Sequence, residues 1–378
     1  MLISCLIAAA PVLGAPVLGA SVVREPAPAD AFALRASHVH VGDGQVVLDA
    51  FVVIEDGVVK SVSDNAPRGV RVVEVDGHIA PGFIGLGDAL GAGSENAERS
   101  RTSTPTADLS FAFDPTDPGW GALVAEGVTT VLLPGGSSRI AGGQAAIVSP
   151  AAGKVLKRNA AMTLGLSRRA LGTSTAPTSY AGLYAEAERL FAEAADGSPM
   201  AQAKAGKLPV MMRASTRSEV ARAARFAAGQ GLKGALIGAP EADELVDVIK
   251  ASGLGVVFEC DVTPATSKDV VKSALALSEA GVPFAFTSDA ARQGPLAMRM
   301  QAAACMRAGL EPGAALRAMT ADAARIAGVG DTHGSVAAGK AADLVVWSGA
   351  PTDLTSRVHA VYAGGNLVHS SHHHGSHK

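Results

Sequence analysis

Histidine is the side chain that most often binds a catalytic metal or moves a proton near neutrality, and here its distribution is lopsided. All ten histidines lie at residues 38–78 or 333–377, and none falls between residues 79 and 332. The middle of the chain therefore offers no imidazole ligand set. It also offers no histidine partner for a serine such as Ser288, so a Ser-His-Asp device is excluded there. Outside the gap, His38-Val39-His40 has the spacing that puts two imidazoles on one side of a strand. It precedes a run of hairpins, and we read it as surface or packing of a small β-domain rather than as a metal pair. The carboxylates Asp88, Glu259, Asp261 and Asp289 fall near expected strand ends. Oxygen donors suit a hard cation such as Mg²⁺, while Asp88 and Asp261 equally suit capping of the following loop or helix. No cofactor is expected, except a divalent metal if these carboxylates converge.

Two kinds of element must position such groups. From Ala33 to Val75, and again over 343–348 and 358–368, short β-patterned runs alternate with turn signals such as Asp56-Gly57 and Gly364-Gly365. In this pattern His38 and His40 share the face of Leu34 and Ala36. From Pro81 to about Gly330 the pattern changes to strand–helix units: strand 208–214 with helix 217–230, strand 234–238 with helix 241–251, strand 255–261 with helix 266–279, strand 283–289 with helices 296–308 and 312–326. Repeated units of this size imply a parallel α/β sheet, closed as a (β/α)8 TIM-type barrel. Seven strands are countable. The expected organisation is a signal and linker over 1–29, a composite β-sandwich from 30–80 plus 333–368, an inserted barrel over 81–332, and a His-rich tail over 369–378, flexible and able to capture transition metals opportunistically.

With 378 residues, 48% of them apolar and 18% charged, the chain can bury a large core and a satellite. A net charge of -3 supplies no cationic excess for phosphates, which argues against nucleic acid as a partner. Residues 2–21 are apolar and small, as in a secretory signal, which gives a periplasmic or secreted protein as the expectation and a cytoplasmic one otherwise. Pro11 and Pro16 make a stable membrane span there unfavourable. Three cysteines are too few for a disulfide scaffold, and Cys260 and Cys305 read as buried thiols.

Several blocks resemble one family. Val53-Ile54-Glu55-Asp56-Gly57-Val58-Val59, Ala80-Pro81-Gly82-Phe83-Ile84, Glu126-Gly127-Val128-Thr129-Thr130-Val131, Thr287-Ser288-Asp289-Ala290 and the closing Gly334-to-Trp347 block are similar to the amidohydrolase superfamily, in its imidazolonepropionase-like branch. The resemblance covers nearly all the chain after the first thirty residues. It implies a barrel inserted in a composite sandwich, hydrolysis of non-peptide C–N bonds, and a metal held by histidines. At the matching positions this chain has Gly87 and Ala89 for the first-strand histidines, Arg213 and Gly238 for the two later ones, and retains only the last-strand aspartate, Asp289.

A lone carboxylate in a metal-less pocket would be an uncompensated charge, whereas a guanidinium supplies a permanent positive charge and a two-pronged donor. The expectation is that Arg213 fills the vacated volume and pairs with Asp289, leaving Asp289 as the catalytic group only if the protein is active. Pro134–Ser138 and Gly142-Gly143-Gln144 read as loops over the mouth, with Gln144 a candidate ligand contact. Two readings follow: a catalytically impaired pseudoenzyme serving as a binding or assembly module, or a hydrolase with a carboxylate metal site or a metal-free mechanism. A small-molecule ligand, a second copy of the chain or an active relative is the expected partner.

Overall fold

The computed structural model describes residues 31–87, 90, 98, 101–173, 176–260, 264–288 and 290–371, the side chains of 264–267 and 290 excepted. The expected export segment, Asp88, Ala89, Asp261, Asp289 and the tail from His372 lie outside the described residues. Five strands come first: β1 Phe32–His40, β2 Val46–Glu55, β3 Val58–Ser63, β4 Arg71–Glu74 and β5 His78–Pro81. Eight follow: β6 Phe83–Leu86, β7 Val128–Leu133, β8 Ala141–Ser149, β9 Lys154–Gly165, β10 Val210–Ala214, β11 Gly234–Gly238, β12 Gly255–Phe258 and β13 Phe284–Phe286. The last are β14 Leu344–Trp347, β15 Val358–Ala363 and β16 Asn366–Ser370.

Both chain ends share one sheet, in the order β16-β15-β14-β5-β1-β2-β3 with β4 beside β1. The join is the antiparallel ladder that sets Ile79 of β5 opposite Val346 of β14. Leu34, Val52, Ile54, Ile79, Leu344 and Val346 form its buried core, each worth about 1.5–3 kcal/mol in apolar burial. One expectation fails within β1. Val39 is fully buried while His38 and His40 are only partly so, and Leu48, the partner of His38, is exposed. The alternation slips after Ala36, opposite Asp49 with its φ of +47°, and the two histidines face outward, away from Leu34.

The middle eight strands form the second sheet, in sequence order from β6 to β13. It is a nearly closed barrel: β6 and the residues just after β13 lie against each other at Gly85 and Ser288, where a Cβ on Gly85 would strike the serine side chain. The expected parallel barrel is present with one departure, since β8 runs antiparallel to both β7 and β9 and no helix intervenes on either side. Gly142, Gly143 and Gln144 are therefore not in a mouth loop but inside a fully buried strand. Gly142 is required there, because a Cβ would run into the carbonyl of Gly136 in the turn folded over it. Inside the barrel Leu86, Leu132, Ile147, Met211, Ile237 and Val257 interdigitate, and helix Ala321–Ile326 plugs the lower end.

Barrel and outer sheet are tied by one buried cation. Arg299, on helix Ala297–Arg307, donates to Glu126 Oε2 at 3.0 Å, to the Asp353 carbonyl at 2.6 Å and to the Ser356 carbonyl at 2.9 Å. Its guanidinium also lies 4.7 Å above the ring of Trp347 on β14.

Candidate functional site

Side chains alternate along a strand, so Arg213 shares the inward face of Met211, and Glu259, just beyond β12, that of Val257. Both sit on top of the apolar layer that fills the barrel. Arg213 Nη1 donates to Glu259 Oε2 at 2.9 Å and Nη2 to Oε1 at 2.8 Å, a two-pronged ion pair with side chains 18% and 33% exposed. Among the described residues the partner of Arg213 is Glu259; the expected pairing with Asp289 lies outside the described residues. Burial alone would raise the Glu259 carboxyl. The hydrogen bonds and charge of Arg213, with the charges of Arg292 and Arg169, hold it below the usual carboxylate range.

The local sequence explains why the two meet across an intervening strand. Gly238 ends β11 between them, and a Cβ there would stand 3.8 Å from Glu259 Oε2 and 2.8 Å from the Ala214 carbonyl. Its φ is +100°, a conformation open to glycine. The missing side chain leaves the space through which Arg213 reaches. Glu259 is held in place from the next residue: the Cys260 amide donates to Thr287 Oγ1 at 3.1 Å, and the Cys260 thiol to the Thr287 carbonyl at 3.0 Å. Cys260 and Cys305 are both buried free thiols, as expected.

A second buried carboxylate organises the neighbouring loops and was not singled out by sequence reasoning. Glu219 accepts from the Arg168 amide and the Tyr180 hydroxyl, both at 2.7 Å, and from the Ser215 amide at 2.8 Å. Burial would raise its pKa, but these donors hold it low. The signal was available in Thr216-Arg217-Ser218-Glu219, a capping box in which Thr216 Oγ1 accepts from the Glu219 amide. Through it the segment after β9, which includes Arg169, is fixed beside the mouth. Gln144 lies on β8, 8% exposed, with its backbone N–H donating to the Ala107 carbonyl at 2.7 Å and opposite Met162 of β9.

The metal that the family resemblance implies does not fit these residues. At the histidine positions stand a guanidinium already committed to a carboxylate, and two glycines, Gly87 at φ +93° and Gly238 at φ +100°, whose backbones are unfavourable for any side-chain-bearing ligand. Among the described residues no three His, Cys, Asp or Glu side chains are placed to hold a metal ion. What the arrangement offers instead is a preformed ion pair with cationic surroundings. Neither oxygen of Glu259 is left as an uncommitted base or ligand. Among the described residues, no helix is long and apolar enough to cross a membrane.

Comparison with known proteins is consistent with this architecture. Residues 192–368 match the model of the amidohydrolase family. A 75-residue segment is 44% identical to an imidazolonepropionase of Paracidovorax citrulli (strain AAC00-1), a match that spans 19% of this chain and only 18% of that relative. Among solved structures, an amidohydrolase from Thermotoga maritima MSB8 superposes with a TM-score of 0.77 at 23% identity, over 90% of this chain and 100% of that one. The ochratoxinase of A. niger superposes with a TM-score of 0.57 at 16% identity, over 91% and 97% respectively. Those two likenesses establish the fold, and residues 192–368 carry the similarity to the amidohydrolase family.

Proposed function

We propose that this protein is a catalytically silent amidohydrolase, descended from hydrolases of non-peptide C–N bonds, whose barrel mouth serves as a binding or assembly surface. The occupant is a small molecule, a second copy of the chain or an active relative. The observation that carries this reading is the Arg213–Glu259 pair, which fills the position of a metal-binding histidine with a charge that repels a cation. A metal-activated water needs a Lewis acid to reach a useful pKa near neutrality, and Gly87 and Gly238 supply no donor atom to hold one. The apolar, small-residue segment 2–21 supports a periplasmic or secreted setting for this role.

The test is metal content by mass spectrometry on the chain ending at Ser371, which removes the tail histidines and leaves β16 intact. The expected result is no metal whose retention depends on barrel residues. Stoichiometric zinc, manganese or nickel that disappears in Glu259→Gln or Asp289→Asn would overturn the reading in favour of a carboxylate metal centre in a working hydrolase.

A further inference from the structure

Three imidazoles that the barrel does not use converge on the outer face of the sheet formed by both chain ends. His38 and His40 are two residues apart on β1 and project to the same side. Parallel pairing sets His38 directly opposite His78 of β5. His40 Nε2 lies 3.0 Å from His78 Nδ1. The His38 ring stacks on that of His78, with centroids 4.2 Å apart and planes 17° apart. On the same face stand Val46 and Leu48, the cross-strand neighbours of His40 and His38, 43% and 59% exposed.

A nitrogen–nitrogen approach of this length has two chemical readings. One is a single hydrogen bond between neutral rings, in which only one tautomer of each partner is satisfied. The other is the bite of two ligands on one ion, since metal–nitrogen bonds of about 2.0–2.1 Å at a tetrahedral angle hold their nitrogens roughly 3.3–3.4 Å apart. We propose that His40 and His78 form an exterior site for a divalent transition metal of the imidazole-favouring class, Cu²⁺, Ni²⁺ or Zn²⁺, with His38 as its third ligand. The site lies on the outer sheet, independent of the barrel.

As placed, the three rings do not surround one point, in keeping with the absence of any ready three-ligand group among the described residues. The cause is the stacking, which runs the lone pairs of His38 beside those of His78 instead of toward them. His38 is half-exposed and its ring is held by one hydrogen bond, with Ser37 Oγ at 3.0 Å. Turning it off the stack rearranges no backbone, because the ladder already fixes all three Cα positions.

The experiment is Cu²⁺ titration of the chain ending at Ser371, followed by calorimetry and electron paramagnetic resonance. One copper per chain with nitrogen hyperfine structure is expected. His40→Gln and His78→Gln should each weaken binding by about tenfold or more, whereas His359→Gln on β15 leaves it unchanged. Because a variant can misfold, the unsubstituted chain gives a second readout: copper should protect His40 and His78 from diethyl pyrocarbonate. Copper bound as tightly by the His40→Gln/His78→Gln double variant, or no protection of those two rings at saturation, would overturn the proposal.

Discussion

Removing Glu259 should cost the protein more than removing Arg213, although the two are partners in one ion pair. Breaking a buried pair costs about 3–5 kcal/mol and breaking an exposed one about 0–1. With side chains 18% and 33% exposed, this pair lies between those limits, and about 2 kcal/mol is expected for Glu259→Gln. That variant leaves Arg213 without its carboxylate partner and removes the negative charge that Arg169 and Arg292 also act on. Arg213→Met instead leaves the carboxylate in the field of the remaining two arginines, and about 1 kcal/mol is expected. The assay is urea and thermal unfolding at neutral pH, where 2 kcal/mol corresponds to a fall of roughly 2–3 °C for a chain of this length. Raising the salt concentration should restore part of the loss in Glu259→Gln by screening the arginines, and should do little for Arg213→Met. The pH dependence has a defined sign. The Glu259 carboxyl is held below the ordinary glutamate value of 4.5, so its contribution is complete above that pH and is lost as pH falls through the lower folded value. Glu259→Gln should therefore show a shallower acid limb than the parent. Equal costs for the two substitutions, or a salt-independent loss in Glu259→Gln, would refute the reasoning.

Two further outcomes follow from the same geometry. Restoring the family's residue by Gly238→His should destabilise the protein by about 1–3 kcal/mol, because a φ of +100° and a carbonyl 2.8 Å from the new Cβ both oppose it; calorimetry should show the lower midpoint, and metal analysis no gain of bound ion. Arg299→Met should cost about 3 kcal/mol by leaving Glu126 and the Ser356 carbonyl without their donor, and Arg299→Lys should recover only part of that in the same urea titration, since an ammonium cannot span all three acceptors.

Where the sequence carries complete local signals, the fold was legible to the residue. Helix 217–230 and strand 234–238 have their expected bounds, because Thr216 caps the helix start and Gly231, at φ +68°, ends it. Helix 312–326 breaks at Thr320, whose φ of -133° and ψ of -92° no local pattern announces. Strand β8 was illegible for another reason. It is buried along its whole length, so it shows no alternation, and its glycines mimic a turn while serving close backbone approach. At the site, the arginine and the glycines were readable as departures from a pattern, and Glu259 was readable as a carboxylate at a strand end. Which carboxylate Arg213 meets depends on the empty volume at Gly238, a property of three strands side by side.

The β5–β14 ladder has a consequence for how the molecule is made. The strands it joins are separated by the whole barrel, and closing a flexible loop of ~260 residues costs roughly 5 kcal/mol in chain entropy. A folded barrel removes most of that cost, because it already brings the ends together: the Gly82 amide donates to the Asp343 carbonyl at 2.8 Å. Until then β5 presents an unpaired strand edge, and at about 5–20 residues per second of synthesis that interval lasts roughly 10–50 s. The first strands translated therefore wait for nearly the last, and any nascent chain that stops short of Trp347 carries an open edge.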